Sequence, residues 1–361
     1  MIYFLYINNM DEEKINDNRE QSFFRGITFS KHNKNEVKKT LIENITDGKI
    51  ESACHWTAEL ICAGHFFDLW ELILLYVSKN IHLGNPKVVF YLDDRYKVFK
   101  NIVENSNYNS IIELRNNLNI RKLFTEIFCI LCQSKKMHSI ELIKINTSVS
   151  FIADNINERL KASSLHYIEP FFRPDDPKGL FIALNEFSYS ISCDSQDLTS
   201  ACYWIEWIIE YEILHKKMKE NIMCSTREKY DVDDQFQTDS IWIVWDSIMY
   251  YSKDKPLFVQ NLLSSLLNLF CIKYTTSTCK KRRYILYYAV SILIENVKTD
   301  IDISDDKETL YSVVNKTNVV YIQLKQNEDN TIIRSESFID KRKRAEVSMK
   351  KLEMLDGILL R

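Results

Sequence analysis

The stretch Ser52-Ala-Cys-His-Trp-Thr-Ala-Glu-Leu-Ile61 governs the interpretation of the whole chain, because it occurs a second time. The second occurrence, Ser200-Ala-Cys-Tyr-Trp-Ile-Glu-Trp-Ile-Ile209, lies 200 − 52 = 148 residues later. Upstream, Phe23-Phe-Arg25 recurs as Phe171-Phe-Arg173, and 171 − 23 is again 148. Two matches at one offset predict a helical unit that was duplicated and fused.

Composition limits the fold class and the partners. A chain of 361 residues is long enough for two domains of ordinary size. Only 6 Gly and 5 Pro disfavour an all-β fold with many tight turns and favour helices with short connections. A net charge of −3 gives no overall attraction to nucleic acid or a membrane. Nine cysteines without a secretory signal predict reduced thiols in an intracellular protein.

Apolar residues at helical spacing predict helices along most of the chain. The first begins near Lys34 with Asn33 or Asn35 as its cap, and Gly48 ends it in a left-handed conformation. Further helices of the first copy are predicted near 52–64, 68–80, 87–104, 110–119 and 121–134. Those of the second copy are predicted near 180–192, 198–219, 241–251 and 256–273 and after Lys280, with a polar insertion at 223–239.

The predicted fold class is therefore all-α, with two tandem helical bundles related by internal duplication. The predicted units are residues 1–150 and residues 151–303, and residues 304–361 form an appended third unit. In this third unit, the β-rich run 319–324, a turn and residues 331–333 predict a small β-hairpin. Residues 338–361 predict a terminal helix. The apolar run Met1–Ile7 is too short to span a membrane.

Residues retained in both copies are predicted to be structural. These are Trp56 and Trp204, Cys54 and Cys202, and Arg25 and Arg173. Glu59 and Glu206 occupy neighbouring positions on otherwise apolar helices, where a carboxylate more often forms an ion pair than acts in catalysis. Arg25 and Arg173 are their candidate partners.

Two basic tetrads are candidate contacts for nucleic acid or for a protein partner. They are Lys280, Lys281, Arg282 and Arg283, and Lys341, Arg342, Lys343 and Arg344. The first leads into an apolar helix, as Arg121 and Lys122 do in the first copy. Positive charge at a helix start opposes the helix dipole, which suggests an acidic partner, whereas a solvated collar of charge is the simpler explanation.

Zinc is the one metal that the residue types suggest. Cys62 and His65 are three apart, as are Cys129 and Cys132, and these four could form a tetrahedral site. The competing interpretation is that both cysteines of the apolar helix pack as hydrophobes. No glycine-rich phosphate loop occurs among the 6 glycines, so no nucleotide or other cofactor is predicted.

Several segments resemble a protein shared among nucleocytoplasmic large DNA viruses. They are Ser52–Gly64, Ile81-His-Leu-Gly-Asn-Pro-Lys87, Leu180–Ser192, Ala201–Trp207 and Ile241–Asp246. The resemblance extends from about Phe24 to about Asp300. It implies a viral origin and work at the viral factory in the host cytoplasm or in the virion, and it carries over no catalytic residue.

A shorter resemblance covers residues 53–86. Trp56-x-Ala58, Ala63-Gly64, Ser78, Ile81 and Pro86 are similar to the helical collar of clamp-loader-type AAA+ ATPases, in which such helices assemble subunits into rings. Because this chain lacks their nucleotide loop, only oligomerising helices would be shared.

These observations predict a non-enzymatic viral helical scaffold or adaptor that binds protein partners, themselves viral. The alternative is an accessory factor for viral DNA replication or transcription that contacts nucleic acid through the basic tetrads. The sequence leaves the oligomeric state open.

Overall fold

The computed structural model describes residues 13–105, 108, 110–148, 150–220 and 222–329 and shows an all-α fold. Within these ranges no strand forms beyond an isolated bridge between Ile27 and Asn33. The α-helices are α1 (Lys34–Thr46), α2 (Ile50–Cys62), α3 (Phe66–Tyr76), α4 (Lys87–Asn105), α5 (Leu118–Gln133), α6 (Ala153–Asn157), α7 (Phe181–Ile191), α8 (Leu198–Lys217), α9 (Ile241–Tyr251), α10 (Leu257–Cys271), α11 (Thr276–Lys281), α12 (Arg283–Ile294), α13 (Lys307–Asn315) and α14 (Thr317–Lys325). The predicted all-α class is confirmed.

Helix α1 begins and ends where its sequence predicts. The Asn33 side chain accepts hydrogen bonds from the backbone N–H groups of Asn35 and Glu36, as an N-cap does. At the other end Gly48 takes a positive φ of 71°, which a residue without a Cβ adopts readily. The apolar stripe between these ends is buried.

In the first half of the chain, which comprises α1 to α5, α1 packs on α2, α2 packs on α5 and α4 packs on α5. Its centre is aromatic: the Trp70 ring lies 5.8 Å from the rings of both Phe99 and Phe124. In the second half, which comprises α6 to α12, α7 packs on α8, α8 packs on α12 and α10 packs on α12. Trp204 and Trp242 are buried there, whereas Trp56 in α2 lies half-buried at the edge of the core beside His32 and His55.

The polar insertion of the second half is held by a buried ion network. Arg227 is fully buried, and its guanidinium donates to both carboxylate oxygens of Asp176 at 2.5 and 2.6 Å. Its Nε donates to Asp246 at 3.2 Å, and Asp246 also accepts from Tyr230. A buried cation is tolerated only when its donors are satisfied, which is the case here.

The two halves meet along α4 and α10 and around α12. Phe90 lies 5.4 Å from Phe258 across this junction, measured between ring centroids. Helix α12 contacts α3 and the π-helical turn Val77–Ile81 of the first half. Its Tyr288 hydroxyl donates to the backbone carbonyl of His82 at 2.8 Å.

The region after residue 303 packs on the first half, with α13 on α5 and α14 on α2 and α5. The predicted strand 319–324 is wrong, because these residues belong to helix α14. Buried Tyr321 and Leu324 are three apart and face the core, whereas Val319 is exposed. Residues 331–333, predicted as the returning strand, and the predicted helix 338–361 lie outside the described residues. The predicted helix 110–119 is a short 3₁₀ turn, Ile111–Asn116.

Residues 17–19 and residues 327–329 contact each other on the first half. Arg19 donates to Asp17 and, at 3.1 Å, to the carbonyl of Asn327. The backbone N–H of Asp329 donates to Asp17 at 2.9 Å. Arg121 of α5 lies 3.9 Å from the centre of the Tyr321 ring, a cation–π contact.

No helix in the described part of the chain is both apolar enough and long enough to span a membrane.

His82 is a buried titratable residue at the junction of the two halves. It is 3% exposed, and neither ring nitrogen has a hydrogen-bond partner among the described residues. Its ring lies 4.6 Å from that of Tyr288. Burial lowers the pKa of His82 to about 4. The unfolded chain therefore binds a proton at a higher pH than the folded chain does.

We expect the free energy of unfolding to fall as the pH is lowered from about 6.5 toward 4, because protonation then favours the unfolded chain. Between pH 7 and pH 5, His82 should account for about 2 kcal/mol of this loss. His82→Asn removes the titration and keeps an uncharged polar side chain at this position. Urea unfolding should show a weaker pH dependence for this variant. An unchanged dependence, or an equal effect of replacing the exposed His138 by Asn, would contradict the prediction.

Candidate partner-binding groove

An apolar groove runs along the surface of the second half, where the segment before α7 faces α6 and α8. It consists of two adjoining clefts of about 560 and 360 Å³ that share Lys178 and Ile182. The lining residues are Ile156, Asn157, Leu160, Phe172, Arg173, Pro174, Lys178, Gly179, Phe181, Ile182, Ala183, Trp204 and Trp207. Apolar surface of this kind, with a charged rim, is typical of protein-binding sites.

The groove has a rigid floor. Trp207 stacks on Tyr211 with ring centroids 4.9 Å apart, and its indole N–H donates to the Ser150 carbonyl at 3.0 Å. Gly179 packs so closely on the Tyr211 hydroxyl that a Cβ at this position would collide with it. The aromatic rings of Phe172 and Phe181 meet edge to face at 5.0 Å. The floor is therefore shaped before any partner arrives.

The rim is positioned by the buried ion network. Asp176 accepts from Arg227 and from the backbone N–H of Arg173 at 2.8 Å, which fixes the turn that carries the rim. The Arg173 guanidinium donates to the Thr226 carbonyl at 2.6 Å. The sequence identifies 223–239 only as a polar insertion, whereas in the structure its Arg227 holds this loop through Asp176.

The charged residues that line the groove are all cations. Arg173 and Lys178 are exposed and are its only charged lining residues. Neither forms an ion pair with any carboxylate in the described part of the chain. On the apolar side, Ile182 is 37% exposed and Leu160 is 39% exposed, although both are large aliphatic residues. An incoming group can therefore be both apolar and acidic.

The first basic tetrad is largely turned inward. Arg282 is 2% exposed and pairs with Glu71 of α3, while Arg283 is 8% exposed and forms an ion pair with Glu206 at 2.9 Å. Lys280 pairs with Glu210, and Lys281 alone extends into solvent without an ion pair among the described residues. The acidic partner suggested by the charge at the helix start is thus the chain itself. Lys341, Arg342, Lys343 and Arg344 lie outside the described residues.

The predicted partners of the two buried glutamates are wrong. Glu59 accepts from the backbone N–H of Ser30 at 2.9 Å and from the Ser30 hydroxyl. Glu206 pairs with Arg283 and accepts from the Tyr287 hydroxyl at 3.0 Å. Burial raises the pKa of Glu206, and Arg283 opposes this shift. Arg25 is exposed, and Arg173 belongs to the groove.

The four candidate zinc ligands are not brought together. No three His, Cys, Asp or Glu side chains in the described ranges are grouped so that they could hold a metal ion. The His65 ring nitrogen Nε2 lies 2.9 Å from the Ile27 carbonyl. Burial raises the pKa of Cys62 and Cys132 to about 12 and of Cys129 to about 11, which disfavours the thiolate.

The repeated cysteines differ in exposure: Cys54 is half-buried, whereas Cys202 is buried. The groove itself was missed by sequence analysis. Its only signal was Ile182, which α7 presents to solvent although its neighbours Ala183 and Leu184 are buried. Periodicity assigns an isoleucine to a core face unless the packing of the neighbouring elements is known.

Comparisons of this chain with protein-family models, with curated proteins and with solved structures gave no match. The resemblances to a viral family and to the clamp-loader collar therefore stay predictions.

Because Arg283 is buried and Lys281 is exposed, we expect their replacement to change the free energy of unfolding by very different amounts. Arg283→Met should lower the free energy of unfolding by about 3–5 kcal/mol, because Glu206 would stay buried without its cation. Lys281→Met, the matched control, should change it by less than about 0.5 kcal/mol. Chemical denaturation measures both values. Adding Glu206→Gln to Arg283→Met should recover part of the loss; a fully additive double variant would show that the two groups do not interact.

Proposed function

We propose that this protein is a non-enzymatic helical scaffold that binds partner proteins, and that the groove between the segment before α7 and helices α6 and α8 receives them. The observation that carries the proposal is the one-sided charge of the groove. Exposed aliphatic residues line the groove, the cations of Arg173 and Lys178 lie at its rim, and none of its lining residues is acidic.

The occupant that fits is an amphipathic helix with acidic residues beside its apolar stripe. Such a helix would lay its apolar face on Ile182 and Leu160 and place carboxylates near Arg173 and Lys178. A preformed floor reduces the entropy lost on binding. The combination supports a protein ligand over nucleic acid, because the apolar floor offers phosphates nothing.

The chain's own residues 330–361 fit this groove poorly by charge. They contain 8 Lys or Arg and 5 Asp or Glu, so their net charge is 8 − 5 = +3. Like charges at the rim would oppose docking of this segment. The charge of the rim therefore favours a separate, acidic partner.

We further propose that the two halves arose by duplication. Helices α2 and α8 begin at residues 50 and 198, again 148 apart. The packing of α1 on α2, α2 on α5 and α4 on α5 is repeated by α7 on α8, α8 on α12 and α10 on α12. Equivalent helices α4 and α10 also pack on each other. A shared ancestor accounts for this correspondence more simply than convergence does.

The proposed setting is viral, on the strength of the sequence resemblance alone. The scaffold would act at the viral factory in the host cytoplasm or in the virion, with viral partners. An accessory role in DNA replication or transcription has less support, because Arg282 and Arg283 are buried and Lys280 is paired.

The groove is tested by selecting displayed helical peptides on the full chain. Peptides enriched on the wild type should combine apolar residues at helical spacing with flanking acids, because both features match the groove. Ile182→Glu and Lys178→Glu should each weaken these peptides by about tenfold or more. Fluorescence polarisation with one enriched peptide measures the effect.

Two substitutions away from the groove serve as matched controls. Leu257→Glu replaces an aliphatic residue that is 69% exposed, and Lys281→Glu reverses an exposed charge. Both should leave peptide binding unchanged. Enrichment without an acidic bias, or equal losses in the controls, would refute the proposal. Sedimentation with anionic vesicles that depends on Ile182 and Lys178 would point to a membrane surface and refute a protein partner.

A further inference from the structure

A second cleft, of about 690 Å³, lies at the junction of the two halves. Helices α3 and α4 form its first-half wall, and the insertion together with the end of α10 forms the other. Its lining includes Phe67, Tyr96 and Phe99, the carboxylates Glu104, Asp231 and Asp233, and the lysines Lys100 and Lys273. The volume is in the range of small-ligand sites.

The cleft already holds an ammonium group against an aromatic face. The Lys273 Nζ lies 3.6 Å from the centre of the Phe67 ring. The Phe67 ring meets Phe99 edge to face at 6.0 Å, and Phe99 lies 6.2 Å from Tyr96. The Phe67 ring therefore offers its face to a cation, and Phe99, which is 1% exposed, packs behind it.

Lys273 reaches this position from a strained backbone. Its φ is 41°, in the left-handed region that L-residues other than asparagine and aspartate rarely occupy. Strain at a non-glycine residue often marks a functional position. Here it places the lysine side chain over the ring that a cationic ligand would use.

The charges of the cleft favour a cation. Three carboxylates face two lysines, and Lys100 is 4.0 Å from Glu104. Asp231 and Asp233 are exposed and form no ion pair with any described residue. Burial chiefly raises the pKa of Tyr96; the Arg282 cation opposes this shift, and the carboxylates of Glu104 and Asp231 add to it.

We infer that this junction cleft binds an alkylammonium group, which the Phe67 ring would hold in the place where Lys273 now lies and which the carboxylates of Asp231 and Asp233 would attract over a longer distance. The ammonium can come from a free polyamine or from a lysine side chain of another protein. Lys273 acts as an internal competitor for the site. This inference is independent of the groove, because the two sites share no lining residue.

The test is isothermal titration of the full chain at low ionic strength with spermidine, putrescine and Nα-acetyl-lysine methylamide. Saturable binding is expected, and the double variant Asp231→Asn/Asp233→Asn should weaken it about tenfold by removing two charges. Lys273→Gly should tighten it about threefold, because the competitor is lost and glycine suits the backbone. Binding of the polyamines alone identifies a free amine, and binding of the lysine derivative identifies a protein side chain.

Asp254→Asn/Asp305→Asn, two exposed carboxylates outside the cleft, is the matched control and should bind as the wild type does. The inference fails if no amine binds, if both double variants lose affinity equally, or if uncharged 1,4-butanediol binds as tightly. Binding of inorganic phosphate that disappears in Lys273→Gly would show an anion site and would also overturn it.

Discussion

The structure depends on two buried arginines at the start of α12. This helix is buried on nearly all sides, and Arg282 and Arg283 enter the interior with it. A guanidinium that leaves water needs other acceptors in its place, and a carboxylate among them also offsets its charge. One carboxylate, Glu71, comes from the first half and the other, Glu206, from the second. Both arginines of helix α12 therefore have their carboxylate partners only when the two halves are folded around this helix. The junction between the halves, with its cleft, follows from that requirement.

The sequence was sufficient where structure is set locally. The Asn33 cap, the Gly48 end and the 148-residue spacing of α2 and α8 could be read from the residues, because caps and helical periodicity act within a few positions. The sequence was insufficient where a partner far away in the chain determines the position of a side chain. Arg282 meets a carboxylate 211 residues away, which no local pattern reveals. Residues 319–324 were too short a run for periodicity to separate helix from strand.

The insertion at 223–239 sets the second half apart from the first. Through Arg227 it fixes the loop that carries Arg173 at the rim of the groove, and through Asp231 and Asp233 it supplies acid to the junction cleft. One site is rimmed by cations and the other by carboxylates. Both candidate sites therefore depend on residues 223–239, which position the charge at the first site and supply charge to the second.

The contact of residues 17–19 with residues 327–329 also has a consequence for synthesis on the ribosome. Asp17 and Arg19 are translated roughly 310 residues before Asn327 and Asp329, their partners in the finished protein. At typical elongation rates that interval lasts tens of seconds. During it the nascent amino-terminal half has an open seam over α2 and α5, so a chaperone or an early partner has a defined surface to cover until α14 arrives.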